Sequence, residues 1–233
     1  MTSSVAFIFA RGGSKGLPDK NILEIAGKPL IAWSILHAKS CTRIERLIVS
    51  TDSNEIAEIA REYGAEVPFM RPKELASDTA SEIESWRHAL RHLEEVDGAM
   101  PDHMVSLPAT SPLRITDDID RAIDRYLKGD VDLVIGITPA NRNPFFNMVK
   151  FDEYDLVHVV NKGNRQILRR QDAPTVFDIT TIVYVTNSNY VMNCSTLFSG
   201  NVGAIEIPQE RSIDIDTAYD FKIASFLMTD LSS

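Results

Sequence analysis

The chain has 233 residues, 44% of them hydrophobic and 24% charged, and carries a formal net charge of -9 at pH 7. This length and composition predict one globular domain spanning residues 1–233. The acidic balance argues against nucleic acid as a partner, because no broad basic face is available to neutralise phosphates. No apolar run approaches the roughly 20 residues that a membrane span needs, and the N-terminus lacks the basic segment of a signal peptide. We therefore expect a cytoplasmic protein that binds neither nucleic acid nor a membrane. A small anionic ligand is still compatible with the net charge.

Strand and helix patterns alternate over residues 5–137. Strands are predicted at 5–10, 45–50, 66–70, 102–107 and 132–137, and helices at 29–39, 54–63, 79–95 and 116–127. Ser53 or Asn54 is the expected cap of the second helix, Gly64 its expected end, and Thr116 the expected cap of the fourth. Such alternation predicts an α/β fold with a doubly wound, mostly parallel sheet, in which ligands bind at the carboxyl ends of the strands.

The pattern changes within residues 139–174, which are richer in Asn, Arg, Asp and Pro. Short strands are predicted there at 147–151 and 156–160, without a helix of comparable quality. We interpret this region as an inserted, β-rich arm rather than a second domain. The chain then returns to the core with strands at 181–186 and 202–207 and a closing helix at 217–227.

A basic, glycine-rich loop with the sequence RGGSKG directly follows the first strand. Three glycines let the backbone turn tightly and present N–H groups, a serine adds a hydroxyl, and three cations supply positive charge. These residues are Arg11, Gly12, Gly13, Ser14, Lys15, Gly16 and Lys20. The spacing matches neither GxxxxGK[ST], which disfavours a P-loop kinase, nor GxGxxG. The sequence nevertheless predicts a phosphate-binding loop.

Two acidic residues, Asp214 and Asp216, precede the closing helix. Alternate residues of a strand share a face, so a strand here would aim both carboxylates at one Mg²⁺ ion that bridges phosphate oxygens. The alternative is a solvated acidic turn that caps the helix at 217–227. The residues alone leave both interpretations open.

Five stretches together resemble the acylneuraminate cytidylyltransferases, the CMP-sialic acid synthetase family. In chain order they are ARGGSKGLPDKN at 10–21, RPKELASDTAS at 71–81, TSPLR at 110–114, RRQD at 169–172 and SIDIDTAYD at 212–220. The resemblance implies a Rossmann-like nucleotidyltransferase that activates a nonulosonic acid, a 2-keto sugar acid, with CTP and Mg²⁺ (or Mn²⁺). It also implies a homodimer in which the arm at 139–174 packs across the twofold interface.

The same resemblance assigns roles to individual residues. It places the nucleotide on Ala10, Arg11, Gly12, Gly13, Ser14, Lys15, Lys20, Asn21, Arg71 and Ser81, and the sugar acid on Thr110, Ser111, Arg169, Arg170 and Gln171. It assigns catalysis to Arg11, Lys15, Lys20 and Asp216, and the metal to Asp214 and Asp216. In this family the anomeric hydroxyl of the sugar attacks the α-phosphorus of CTP, so the enzyme needs alignment and charge neutralisation rather than a covalent nucleophile.

Some residues of these stretches also have a structural interpretation. Asp78 would either cap the helix at 79–95 or lie near the nucleotide. Arg114 would be either structural or functional, and the basic stretch at 169–171 would otherwise be a surface turn.

Two stretches depart from the family pattern. Many relatives have a glutamine before TSPLR, where this chain has Pro108 and Ala109. Many also have tyrosine, two residues and Asn-Gly, where residues 177–181 read FDITT. Both departures fall on the expected sugar side, so we expect CTP use with legionaminic, pseudaminic or another modified nonulosonic acid.

The alternatives are a CMP-Kdo synthetase or another sugar nucleotidyltransferase, and a nucleotide-sugar binding module without catalysis. The presence of Lys15, Lys20, Asp214 and Asp216 argues against the binding module.

Overall fold

The computed structural model describes residues 4–77, 79–163 and 167–230. The strands are β1 (Ser4–Phe9), β2 (Glu24–Ile25), β3 (Lys28–Pro29), β4 (Ile44–Ser50), β5 (His103–Ser106), β6 (Leu133–Pro139), β7 (Val149–Phe151), β8 (Val157–Val159), β9 (Phe177–Asn187) and β10 (Val202–Glu206). The α-helices are α1 (Leu30–Ser40), α2 (Asn54–Glu62), α3 (Glu82–Asp97), α4 (Thr116–Tyr126), α5 (Ser188–Asn193) and α6 (Ala218–Asp230). No helix in these described ranges is both long enough and apolar enough to cross a bilayer.

A six-stranded sheet in the order β10-β6-β9-β5-β1-β4 forms the centre of the molecule. Strand β1 is parallel to β4 and β5, and β6 is parallel to β10. Strand β9 is antiparallel to both of its neighbours, β5 and β6. The predicted α/β fold with a mostly parallel sheet is therefore confirmed. The direction of β9 follows from the arm, which returns the chain to the end of the sheet where β6 stops, so that Phe177 pairs with Pro139.

Both faces of the sheet are buried. Successive side chains of β1 point to opposite faces, so Ile8 joins one core cluster and Phe7 the other. Ile35 of α1 and Ile123 of α4 cover the first face. Trp86 of α3, which is fully buried, covers the second. This burial explains why β1 reads as an uninterrupted apolar run.

Two predicted elements differ from the structure. The strand predicted at 66–70 is wrong, since only Glu66 forms a bridge, parallel to Ile48. Pro68 has no N–H to donate, so the ladder does not continue. The helix predicted at 79–95 begins only at Glu82, because Ser81 is extended.

The ends of two helices show which capping predictions hold. The Ser53 hydroxyl accepts from the N–H of Ile56 at 3.4 Å, and Gly64 has a φ of 89°, so the predicted start and end of α2 are confirmed. Thr116 is not the cap of α4 but its first residue. The carboxylate of Asp118 instead accepts from the N–H of Ile115 at 3.1 Å.

Strands β7 and β8 pair as an antiparallel hairpin within residues 139–174. The two strands predicted there are thus present in shorter form. The hairpin and its flanks expose an unusual number of apolar side chains. They are Met148, Val149, Phe151, Tyr154, Leu156, Val157, Val160 and Leu168.

A largely buried histidine, His37 on α1, predicts acid sensitivity. Burial, together with the positive charge of Arg114, lowers the pKa of His37 from 6.5 to about 3. The unfolded chain therefore binds a proton that the folded chain does not, and stability falls as the pH drops from about 6.5 toward 3. We expect the free energy of unfolding in urea to be about 1–2 kcal/mol lower at pH 5 than at pH 7 through this residue alone. His37→Gln should reduce the difference in unfolding free energy between pH 5 and pH 7. The control His158→Gln, in the exposed hairpin, leaves His37 in place and should preserve that difference.

Candidate active site

A cleft of about 370 Å³ opens where β1 and β5 end. The cleft is lined by Phe9, the last residue of β1, and by three residues of the loop after β5. These three are Pro108, Ala109 and Thr110. This is the edge of a parallel sheet at which ligands bind.

The basic loop is fixed by hydrogen bonds to its surroundings. The Arg11 guanidinium donates to the carbonyl of Ala76 at 3.2 Å, and the Asn21 amide donates to the carbonyl of Arg11 at 3.0 Å. The Gly12 N–H donates to the carboxylate of Asp52 at 2.9 Å, so this amide is already engaged. The cleft lining includes Arg11, Ser14, Lys20 and Asn21, whereas Lys15 is exposed outside it.

The close packing of Gly16 joins the loop to the acidic segment. A Cβ atom on Gly16 would clash with the carbonyl oxygen of Asp216, whereas one on Gly13 would meet nothing within 4 Å. A glycine is therefore required at position 16 by close approach of the two backbones.

Lys20 makes the second connection between the loop and the acidic segment. Its ammonium group donates to the carbonyl of Ile215 at 2.9 Å and to the carboxylate of Asp216 at 2.7 Å. The Lys20 side chain is 13% exposed and that of Asp216 is 68% exposed. The carboxylate of Asp216 is thus open to a ligand on its solvent side, while the ammonium group of Lys20 is held close to the protein.

Asp214 and Asp216 lie in an irregular segment and not in a strand that would by itself aim both carboxylates to one side. The fully buried Ile215 anchors the segment, and its N–H donates to the carbonyl of Thr110 at 3.0 Å. Burial, and next the charge of Asp216, raise the pKa of Asp214, although hydrogen bonds from Thr110 and Thr181 oppose this. Within the described residues, Oδ1 of Asp214 is buried without a hydrogen-bond partner.

Neither acidic residue caps the last helix. The Thr217 N–H donates to the carboxylate of Asp220 at 2.8 Å, and the Asp220 N–H donates to the Thr217 hydroxyl at 3.3 Å. This reciprocal pair caps α6. The capping alternative for Asp214 and Asp216 is therefore wrong, and both carboxylates are left for another role.

Arg71 lies in the cleft wall with a rigid guanidinium. Its Nε donates to the Ser50 hydroxyl at 3.1 Å and its Nη2 to the Ser50 carbonyl at 2.5 Å, and the group lies over the Phe9 ring at 5.6 Å. Burial lowers the pKa of Arg71 to about 10, opposed by Asp52 and Glu82. Arg71 therefore stays cationic at neutral pH and can contact an anionic or acceptor-rich ligand.

The start of α3 differs from the prediction in one detail. Ala80 and Glu82 line the cleft, whereas Ser81 between them is exposed and absent from the lining. Asp78 lies outside the described residues.

Two residues that line the cleft, Glu82 and Tyr184, were not predicted from the sequence. Glu82 is open to solvent through the cleft but otherwise surrounded by protein, and this burial raises its pKa, with Arg71 acting in the opposite direction. Burial, Glu82 and Asp214 raise the pKa of Tyr184 far above its usual range, so it stays a neutral hydroxyl. The position of Glu82, directly after the stretch at 71–81, was a usable signal. Nothing in the sequence marked Tyr184.

The TSPLR stretch divides between the cleft and the core. Thr110 lines the cleft. Ser111 is fully buried and its hydroxyl donates to the carbonyl of Thr181 at 3.0 Å, so it does not face a ligand. Arg114 is 1% exposed, which places it in a structural position.

The RRQD stretch lies away from the cleft of its own chain. Arg169, Arg170 and Gln171 are exposed and none lines the cleft. Arg169 pairs with Asp172 at 3.0 Å, and Arg170 donates to the carbonyl of Asn141 at 2.8 Å. Within one chain these residues therefore do not reach a ligand.

The sequence profile of one protein family, described as "Cytidylyltransferase", matches residues 5–217. The chain belongs to this family. This confirms the resemblance found in the motifs, and the protein is a nucleotidyltransferase enzyme.

Individual relatives and a solved structure agree with this assignment. The cytidylyltransferase is 36% identical over 228 residues to "Post-translational flagellin modification protein B" of Campylobacter coli, across 98% of this chain and 96% of that protein. It is 35% identical over 229 residues to a "CMP-N,N'-diacetyllegionaminic acid synthase" of Campylobacter jejuni, with 98% and 96% of the two chains covered. It also shares its fold with a CMP:2-keto-3-deoxy-manno-octonic acid synthetase solved in complex with CTP, at a TM-score of 0.75 and 15% identity over 98% of this chain and 99% of that chain.

Proposed function

We propose that the cytidylyltransferase transfers the CMP moiety of CTP to a nonulosonic acid. The anomeric hydroxyl of the acid forms a bond to the α-phosphorus, the bond from that phosphorus to the β-phosphate oxygen breaks, and pyrophosphate and the hydroxyl proton leave. The observation that carries the proposal is the junction of a basic loop with an acidic segment, through Lys20 and Asp216, at the edge of one cleft. A triphosphate bound with a cation needs both charges at one place.

The basic residues of the cleft fit the phosphate end of the nucleotide. Arg11, Ser14 and Lys20 combine two cations with a hydroxyl in the same lining, and Arg71 extends the positive charge along the wall. Such preorganised donors stabilise the charge that develops as pyrophosphate leaves. We assign Arg71 to the nucleoside end, because its guanidinium lies over the Phe9 ring and the apolar side chains of Leu75 and Ala80 line the same cleft.

We further propose that Asp214 and Asp216 hold Mg²⁺, or Mn²⁺ in its place. The buried Oδ1 of Asp214 has no partner in the described part of the chain, and Asp216 is exposed, so both carboxylates fit this role. No group of three or more His, Cys, Asp or Glu side chains that could hold a metal ion gathers anywhere in the described residues, this segment included. Two carboxylates suffice for Mg²⁺ when phosphate oxygens and water complete the shell. The ion would neutralise charge on the phosphates.

The acid is proposed to be a modified nonulosonic acid. Pro108, Ala109 and Thr181, which replace residues of the common family pattern, all line the cleft. The relative named as a CMP-N,N'-diacetyllegionaminic acid synthase supports such a substrate.

Pyrophosphate release from CTP and Mg²⁺ across a panel of acids tests the function. The panel is N,N'-diacetyllegionaminic, pseudaminic, N-acetylneuraminic and 2-keto-3-deoxy-manno-octonic acid. We expect release with one of the first two at a kcat/KM at least about tenfold above that with N-acetylneuraminic acid, a difference of about 1.4 kcal/mol. Preference for N-acetylneuraminic acid would contradict the modified acid. Release only with the octonic acid would favour a CMP-Kdo synthetase, and none at all would favour the binding module.

The assembly is proposed to be a homodimer formed through the arm at 139–174. Phe151, Tyr154 and Leu168 are 69%, 75% and 72% exposed, and large apolar side chains clustered in this way mark an interaction surface. A second arm of the same kind would cover them and would bring the basic stretch at 169–171 toward a neighbouring cleft.

Both cysteines, Cys41 and Cys194, are free and buried, which supports the proposed cytoplasmic location.

Phe151→Asp is expected to convert the dimer to monomers, because it places a charge in the proposed apolar interface. Light scattering coupled to size-exclusion chromatography measures the mass. Phe226→Asp is the matched control, since Phe226 on α6 is 71% exposed and lies outside the arm. Equal masses for both variants and the unmodified chain would contradict the arm interface.

A further inference from the structure

Strand β9 contains a bulge next to the cleft. Ile135 of β6 pairs with Tyr184, but the next residue, Gly136, pairs with Thr180. Residues 181–183 therefore have no register partner on β6. The pairing of β9 with β5 also ends at Tyr184. The backbone groups within the bulge consequently need hydrogen-bond partners from outside the sheet.

Two buried side chains of the TSPLR stretch supply those partners. The Ser111 hydroxyl donates to the carbonyl of Thr181 at 3.0 Å. Nε of Arg114 donates to the carbonyl of Ile182 at 2.5 Å. Both side chains are at most 1% exposed, so neither contacts solvent or a ligand.

Arg114 also reaches two other parts of the cleft's surroundings. Its Nη1 donates to the Ser34 hydroxyl on α1 at 3.0 Å, and its Nη2 donates to the carbonyl of Pro108 at 2.7 Å. One guanidinium thus fixes the bulge, a helix and the loop after β5. Its planar fork allows three directed bonds at once, which an ammonium group cannot reproduce.

The bulge determines which side chains face the cleft. Thr181 and Tyr184 line the cleft from either end of the bulge, and Pro108 lines it from the loop that Arg114 holds. Gly136 accommodates the bulge from the other side, since a Cβ there would lie 2.5 Å from the Thr180 hydroxyl. Bulges re-aim side chains in this way beside active sites.

We propose that Arg114 and Ser111 are positioning residues that set the acid-binding wall of the cleft by holding the β9 bulge. They act through Thr181 and Tyr184 and do not touch the substrate. The assignment of this wall to the acid rests on the proposed function.

Steady-state kinetics with separate titration of the two substrates tests this role. Arg114→Met and the milder Ser111→Ala should lower kcat/KM for the acid at least tenfold and leave the KM for CTP within twofold. Arg114→Lys should recover part of the loss in Arg114→Met, since an ammonium group can still donate to one of the carbonyls. Gly136→Ala, which disturbs the bulge from the β6 side, should reproduce the same split.

The matched control is Arg87→Met. Arg87 also donates to two backbone carbonyls, those of Val191 at 2.9 Å and Cys194 at 2.5 Å, and neither belongs to the cleft lining. This variant should lower the melting temperature without any difference between the two substrates. The same split in Arg87→Met, or equal losses for both substrates in Arg114→Met and Ser111→Ala, would overturn the proposal.

Amide hydrogen exchange separates this proposal from the proposed function. Arg114→Met should speed exchange at residues 180–184 at least tenfold relative to the rest of the sheet, even if no acid in the panel is a substrate. An unmodified chain without turnover would reject the proposed function alone. Unchanged protection at 180–184 in a folded Arg114→Met variant would reject the positioning role alone.

Discussion

Asp216→Asn is expected to lower Mg²⁺-dependent turnover by at least about 100-fold, or roughly 2.7 kcal/mol in the barrier, while the protein stays folded. The side chain is 68% exposed and contributes nothing to the core, so its loss acts on the site rather than on stability. The remaining carboxylate of Asp214 would have to hold the ion with one ligand fewer. CTP binding without metal should not weaken, because the substitution removes negative charge facing the triphosphate.

Pyrophosphate release measured against Mg²⁺ concentration, with calorimetry of CTP binding, checks both parts of this result. Glu210→Gln is the control, since it removes an exposed carboxylate close in sequence that belongs to the turn Gln209–Arg211 rather than to the segment that Lys20 joins to the basic loop. Turnover within threefold of the unmodified enzyme at saturating Mg²⁺ would show that Asp216 does not hold the ion.

Gly16→Ala is expected to lower kcat/KM for CTP by about 10- to 100-fold, equivalent to about 1.4–2.7 kcal/mol. The added methyl group would clash with the carbonyl oxygen of Asp216, so the basic loop or the acidic segment must move. Either movement breaks the contacts of Lys20 with Ile215 and Asp216. The phosphate-binding cations and the metal-binding carboxylates would then no longer face one ligand.

Gly13→Ala in the same loop is the matched control. A Cβ at that position meets no protein atom within 4 Å and alanine keeps the backbone N–H that the loop presents, so kcat/KM for CTP should fall by at most about threefold. Equal losses in both variants would mean that the loop needs flexibility rather than close packing on Asp216.

Local patterns predicted much of the fold. Alternating apolar runs and amphipathic helices predicted the parallel strands β1, β4, β5 and β6, because each of these patterns is set by neighbouring residues. The antiparallel direction of β9 depends instead on where the arm returns the chain. The strand expected at 66–70 failed for a local reason that the sequence did contain, the missing donor of Pro68.

The candidate site was predictable as separate parts. The loop and the acidic pair each carried a recognisable chemistry, but only the folded chain shows that Lys20 bonds to Asp216. Tyr184 lines the cleft directly after the bulge in β9, and a bulge leaves no periodic signal in the sequence of a strand. Ser111 shows the opposite error, since a hydroxyl in a ligand-binding motif turned out to be a backbone partner.

The contact between Lys20 and Asp216 joins residues that are 196 positions apart. A chain still being synthesised therefore carries its basic loop early but cannot pair it with the acidic segment until Asp216 has been made. Contacts of such long sequence separation also form late in folding, because closing the intervening loop costs entropy before the contact is gained. Nucleotide binding should accordingly develop only after this contact has formed, and CTP should stabilise only the fold in which the basic loop and the acidic segment are joined.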